Sequence, residues 1–184
     1  MKDYILHQSS YITNNIEGIL EDIKIGLRLH QELFSYEDTT WSYPKYNTFS
    51  LLAPSSHFWY IFQELKNLIL TNIPENKELW LQSWINYHDQ CDLLDWHDHE
   101  YPYHGYINLN CEKTETIFES HTIKNKPGQI YFGYGNNKHK VVALENFSYK
   151  RITIGFDVHT IPTSKLYRTF NEKPFYNLGF IPLV

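Results

Sequence analysis

From Asn14 to Phe34, apolar residues recur at Ile16, Ile19, Leu20, Ile23, Leu27 and Phe34, the spacing of three, four and seven that lines one face of an α-helix. A second amphipathic helix is predicted after a Ser55 or Ser56 cap, through Phe58, Phe62, Leu65 and Ile69, and it stops before Pro74. Beyond Pro74 the texture changes. Short runs rich in aromatic and β-branched residues alternate with turn residues, which predicts strands near 79–88, 93–99, 104–110, 114–119, 129–133, 138–144 and 149–158. Lys126-Pro127-Gly128 and the glycine-rich stretch from Gly133 to Asn137 mark two of the turns. The pattern predicts a mainly β fold with N-terminal helices: a jelly roll of the cupin type, with two amphipathic helices packed on one sheet.

The last predicted strand carries the sharpest alternation. Ile152, Ile154 and Phe156 fall on one face, and Arg151, Thr153 and Gly155 on the other. The first face belongs to a core; the second is free for chemistry. One domain is expected over residues 1–184, with 1–75 as helical support, 76–158 as the β core and 159–184 as an irregular tail containing Pro162, Pro174 and Pro182.

Composition narrows the classes. The chain is 42% hydrophobic and 17% aromatic, which suits a packed domain and argues against disorder. Its net charge is −5 and only three residues are arginine, so there is no basic stripe to follow a phosphate backbone, and a nucleic-acid partner is not expected. Cys91 and Cys111 form no disulfide framework and are read as reduced thiols. The first residues lack the apolar core of a signal peptide and no stretch reaches the length of a membrane span, so a cytoplasmic location is expected.

Four histidines cluster between residues 88 and 104. In a strand, His97 and His99 project to the same side, so both imidazoles can reach one ion. A third ligand must come from elsewhere, and His139, opening a later strand after the glycine-rich turn, is the candidate. Asp98 and Glu100 are the alternatives to His99 where strand irregularity turns a carboxylate inward. Asp95 is a candidate outer carboxylate for His97 or His99. Arg151 adds a different signal, because an inward guanidinium on an apolar strand needs an anionic partner. Either an internal carboxylate or a dicarboxylate ligand would serve, and Thr153 on the same face could add a hydroxyl to the latter. His57, His88, His104 and His121 are read as surface or supporting residues. Trp80, Trp84, Trp96, Tyr101 and Tyr103 are read as core and rim.

Taken together, these pieces resemble a known family. Tyr87 stands ten residues before His97 of Trp96-His97-Asp98-His99, followed by Gly105-Tyr-Ile-Asn108, Thr116-Ile-Phe118, Lys126-Pro-Gly128-Gln-Ile-Tyr-Phe, His139-Lys-Val141 and Arg151-Ile-Thr153-Ile-Gly-Phe. From Trp84 to Val158 the order and spacing are similar to the double-stranded β-helix core of the iron(II)/2-oxoglutarate-dependent oxygenases. The prolyl-hydroxylase-like members, including bacterial and phage proteins with His-x-His, are the most similar. The resemblance implies Fe(II) on His97, His99 and His139, with 2-oxoglutarate as cosubstrate held by Arg151 and Thr153 and assisted by Tyr87 and Asn108. It also implies O2 as a partner and hydroxylation of a prime substrate, with release of succinate and CO2. That substrate could be a peptidyl residue, a metabolite or a nucleobase. The departure is His99, which stands where the family usually has a carboxylate.

Two other readings use the same residues. A three-histidine cupin-type metal enzyme would not need 2-oxoglutarate, and a non-catalytic jelly-roll accessory protein would need no metal. Arg151 separates the first from the oxygenase reading, and metal uptake separates the second. Oligomeric state has no signature in the chain.

Overall fold

The computed structural model describes residues 3–35, 37–73, 78–90, 93–160 and 179–183. The elements run β1 (Tyr4–Gln8), α1 (Ser10–Asn14), α2 (Ile16–Phe34), α3 (Thr48–Leu51), α4 (Ser56–Asn72), β2 (Trp80–His88), β3 (Tyr103–Asn110), β4 (Thr114–Phe118), β5 (Thr122–Lys124), β6 (Gln129–Tyr134), β7 (His139–Ala143), β8 (Arg151–His159) and β9 (Phe180–Pro182). Both predicted helices form. The Ser55 hydroxyl accepts from the Phe58 backbone N–H at 3.1 Å, capping α4, and the helix ends at Asn72, two residues before Pro74. Ile19 and Ile23 of α2 meet Phe58, Ile61, Leu65 and Ile69 of α4 in one buried cluster.

The strands form an antiparallel jelly roll. A six-stranded sheet has the order β1-β6-β3-β8-β2-β9, and a three-stranded sheet the order β5-β4-β7. All nine residues of β8 are buried, because this strand lies between β3 and β2 with a layer on each face. Ile152, Ile154, Phe156 and Val158 join the helices in the main core, as the alternation required. Arg151, Thr153, Gly155, Asp157 and His159 fall on the other face, toward the interior of the roll. There Tyr106, Phe118, Ile123 and Tyr131 make a smaller apolar cluster.

Three features depart from the sequence reading. Residues 93–99 do not form a strand: they run beside β7 through a single bridge between His97 and His139. The sheet is extended at both edges by β1 and β9, elements from the two ends of the chain, so the segment before Pro74 contributes a strand as well as helices. β5 is a further short strand that pairs with β4. Of the predicted tail, His159 belongs to β8, while Pro162 and Pro174 lie outside the described residues. Cys111 is a buried free thiol, and burial pushes it up to about 12, so it stays protonated; Cys91 lies outside the described residues. No helix among the described residues is long and apolar enough to cross a membrane.

Gly155 has a packing role. A Cβ there would stand 2.5 to 2.7 Å from the Trp84 ring atoms, so the missing side chain lets the indole lie across β8. Gly155→Ala is expected to push Trp84 out of place and to destabilise the fold by about 1–3 kcal/mol. Urea unfolding checks this; an unchanged midpoint would mean that the indole relocates freely.

Candidate metal centre

His97 and His139 meet because their backbones form a reciprocal pair, with each N–H donating to the other's carbonyl at 2.9 Å. Residues paired in this way point their side chains to the same side. The rings lie 4.3 Å apart between centroids. His99 follows two residues later, its N–H donating to Gly135 O at 2.9 Å, and its ring stands 5.4 Å from that of His97 and 5.6 Å from that of His139. Gly135 permits the close approach, since a Cβ there would stand 1.8 Å from Tyr101 O. The three histidines each offer a ring nitrogen within 4.8 Å of the others.

The tautomers follow from the surroundings. His97 Nδ1 lies 2.7 Å from Asp95 O, His139 Nδ1 lies 2.9 Å from Asn137 O, and His99 Nδ1 lies 3.0 Å from the Asp157 carboxylate. A carbonyl or carboxylate oxygen accepts only, so each Nδ1 carries the proton and each Nε2 keeps its lone pair. His99 Nε2 is buried with no hydrogen-bond partner. Three imidazoles with converging ring nitrogens, their Nδ1 atoms already committed to protein acceptors, form a set suited to a divalent transition metal.

Asp157 is the outer carboxylate of this centre. Asp95 reaches His97 through its backbone carbonyl and not its carboxylate, which instead accepts from the Trp96 N–H at 2.7 Å. Asp98 and Glu100 are exposed and belong to no convergent ligand set among the described residues. Asp157 also lies 3.0 Å from His104 Nδ1, and His104 stacks on His99 at 3.5 Å with an interplanar angle of 13°. His99, His104 and Asp157 also converge within 4.8 Å. Their stacked rings, however, aim both Nδ1–H groups at one oxygen of Asp157, an arrangement of two donated hydrogen bonds to one carboxylate and not of lone pairs around a shared ion. Burial acts to raise the Asp157 carboxyl, but the hydrogen bonds from His104 and His99 outweigh it and hold the group well below the usual range. Burial lowers His139 to about 2 and His104 to about 4, neighbouring imidazoles adding to both shifts, and lowers His97 as well.

On the other side of a small cavity bounded by His97, His99, His139, Tyr106 and Thr153 lies Arg151. Its side chain is 3% exposed, Nη1 donates to Thr153 Oγ1 at 3.4 Å, and Nε has no partner. No described carboxylate forms an ion pair with it. Burial lowers its pKa from the ordinary arginine value. The internal salt bridge that would have explained an inward arginine is therefore missing among the described residues, and the guanidinium faces the histidines across the cavity.

The remaining sequence candidates separate. Thr153 is fully buried beside Arg151 and accepts from Asn86 Nδ2 at 3.1 Å. Asn108 lies across from Thr153 in the β3–β8 ladder; its amide donates to Asn125 at 3.3 Å and Gln129 at 3.4 Å, while its Oδ1 is buried and unpartnered. Tyr87 is not brought to the cavity. It lies opposite Ile152, 38% exposed, with the Lys150 ammonium 5.4 Å from its ring centroid. Its neighbour Asn86 faces inward instead and also accepts from Trp84 Nε1 at 3.0 Å. His88 is buried against Thr40 Oγ1 at 2.8 Å. His57 pairs with the Tyr11 hydroxyl at 2.9 Å, away from the centre, and His121 stacks on Tyr4 and on Phe118, whose ring in turn lies 5.2 Å from that of His139.

No protein-family model matches the chain, and no curated protein matches it in sequence. Solved structures match in fold. The non-haem monooxygenase ThoJ in its nickel complex superposes with a TM-score of 0.54 over 86% of this chain and 74% of that one, at 9% identity. The non-haem α-ketoglutarate-dependent epimerase SnoN from nogalamycin biosynthesis gives 0.53 over 85% and 78%, at 11% identity. SnoN in complex with Fe3+, α-ketoglutarate and nogalamycin RO gives 0.52 over the same shares, at 10%. At these identities the likeness is one of fold: the chain is a jelly roll of the kind these proteins share.

Two outcomes follow from the geometry. Asp157→Asn leaves the shape but removes the charge, and Co(II) affinity measured by calorimetry is expected to fall about 10–100-fold; unchanged affinity would remove Asp157 from the centre. In the metal-free protein, His104, His139 and His159 are held neutral below the ordinary value of 6.5, with His159 lowered to about 4 by burial. The unfolded chain then binds more protons than the native one between pH 6.5 and 4, so stability falls as pH drops through that window. Denaturant midpoints across pH 4–7 measure it, and a flat profile would show that these imidazoles are not held neutral.

Proposed function

We propose that this chain is a non-haem Fe(II) oxygenase that uses 2-oxoglutarate, with His97, His99 and His139 as metal ligands and Arg151 and Thr153 as the grip on the cosubstrate's far carboxylate. The observation that carries the reading is the buried Arg151 guanidinium, which has no counter-ion among the described residues and faces three free imidazole nitrogens. A dicarboxylate chelated at the metal by one end and held at Arg151 by the other satisfies both halves of the cavity. A three-histidine enzyme without an oxoacid leaves the guanidinium unexplained.

The chain's own residues position and exclude. Asp95 O, Asn137 O and Asp157 fix the three imidazole tautomers before any metal arrives. Asn86 and Arg151 both donate to Thr153 Oγ1, which fixes the hydroxyl's acceptor side and leaves its proton to donate to a carboxylate. The unpaired Asn108 Oδ1 and Tyr106 hydroxyl are further buried polar atoms in the interior. Trp84, only 6% exposed, walls the cavity against water. Fe(II) and 2-oxoglutarate, when bound, would supply reduction of O2, one oxygen atom passing to succinate as CO2 leaves and the other entering the prime substrate as a hydroxyl.

Arg151→Ala is expected to weaken 2-oxoglutarate binding to anaerobic Fe(II)-loaded protein by at least about tenfold, through loss of a charge-assisted pair. It should leave Fe(II) affinity within about twofold. Calorimetry and the metal-to-ligand charge-transfer band report the two separately. Equal 2-oxoglutarate affinity in variant and parent would overturn the cosubstrate assignment.

A further inference from the structure

Outside the histidines, residues from 40–43 and 93–101 frame a second, larger cavity of about 670 Å³ with His97, His99 and Asp157 among its lining. That is the size of a small-molecule site. Its wall is aromatic: Trp41 and Trp96 stand 69% and 40% exposed, with Tyr43 and Trp84 continuing the surface inward. Large apolar side chains left open to water are unfavourable unless something covers them. Asp95, Asp98 and Glu100 line the same space, and among the described residues no Lys or Arg does. Asp98 and Glu100 form no ion pair among the described residues. One cation already meets this wall, since the Lys140 ammonium stands 5.1 Å from the Trp96 ring centroid.

We propose that this cavity takes the prime substrate as a small organic cation, an amine or quaternary ammonium carried on an apolar or aromatic body. Indole and phenol faces present negative quadrupole density to a cation and apolar area to its body, while the carboxylates raise the local cation concentration. The same carboxylates repel phosphate-bearing substrates, which sets nucleotides and nucleic acid aside. Placement beside His97 and His99 brings the ligand's body against the metal face. The word substrate rests on the oxygenase reading; binding of the cation requires neither metal nor oxoacid.

The test is tryptophan-fluorescence titration of the metal-free, full-length protein with benzyltrimethylammonium, benzyl alcohol and benzoate. The cation is expected to bind saturably and at least tenfold tighter than the alcohol, and benzoate not at all. The exposed double variant D98N/E100Q is expected to weaken the cation at least fivefold and the alcohol less than twofold, and Trp41→Ala to weaken both. Benzoate binding as well as the cation, a cation affinity untouched by D98N/E100Q, or no saturation by the cation would each overturn the proposal. Arg151→Ala should leave cation binding unchanged. A protein that binds the cation but not 2-oxoglutarate would therefore sink the cosubstrate reading alone, and the reverse result would sink this one alone.

Discussion

A guanidinium buried without a counter-ion among the described residues is the constraint on which the interior of this jelly roll turns. Arg151 is 3% exposed, and an isolated buried charge is expensive enough that proteins pair it or leave it in water. Here β8 carries it into the roll because the opposite face of the same strand must be apolar: Ile152, Ile154, Phe156 and Val158 are the floor on which α2 and α4 pack. A strand buried on both faces cannot exchange one set for the other without losing both, since a one-residue slip would place the arginine among the helices. The core thus holds the charge in position, and the charge defines what the cavity can accept.

Asp157 does for the histidines what the core does for Arg151. It sits six residues further along the same inward face of β8 and accepts from both His99 and His104. Metal centres that bind through two imidazoles and a carboxylate carry a negative charge in the ligand set, whereas three neutral imidazoles do not. The carboxylate missing from the position of His99 is present one residue-contact further out, where it fixes the imidazole and makes it a better donor. In the proposed reading, cosubstrate grip and metal tuning both hang from one strand, Arg151 and Thr153 at its start and Asp157 near its end.

Much of this was legible in the chain, for identifiable reasons. The alternation of β8 is strict, the His97-x-His99 pair survives the loss of a strand there because the bridge to His139 and the bond to Gly135 hold both rings on one side, and Ser55 caps α4 in the ordinary way. The errors have equally physical causes. β2 is buried at seven of its nine positions, so hydropathy does not show which of its residues face inward; the family resemblance points to Tyr87, whereas its neighbour Asn86 lines the cavity. β1 and β9 are strands of five and three residues at the sheet edges, too short to show a period. His104 and Asp157 are 53 residues apart and become partners only through the β3–β8 register, although Asp157 shares the parity of Arg151 and Thr153 along the strand.

The most direct test is a crystal structure of the protein grown anaerobically with Fe(II) and 2-oxoglutarate, with anomalous data collected at the iron edge. The account predicts one iron peak bonded to Nε2 of His97, His99 and His139, with the far carboxylate of the oxoacid against Arg151 and Thr153. Iron held instead by His104 and Asp157, or an oxoacid turned away from Arg151, would contradict it.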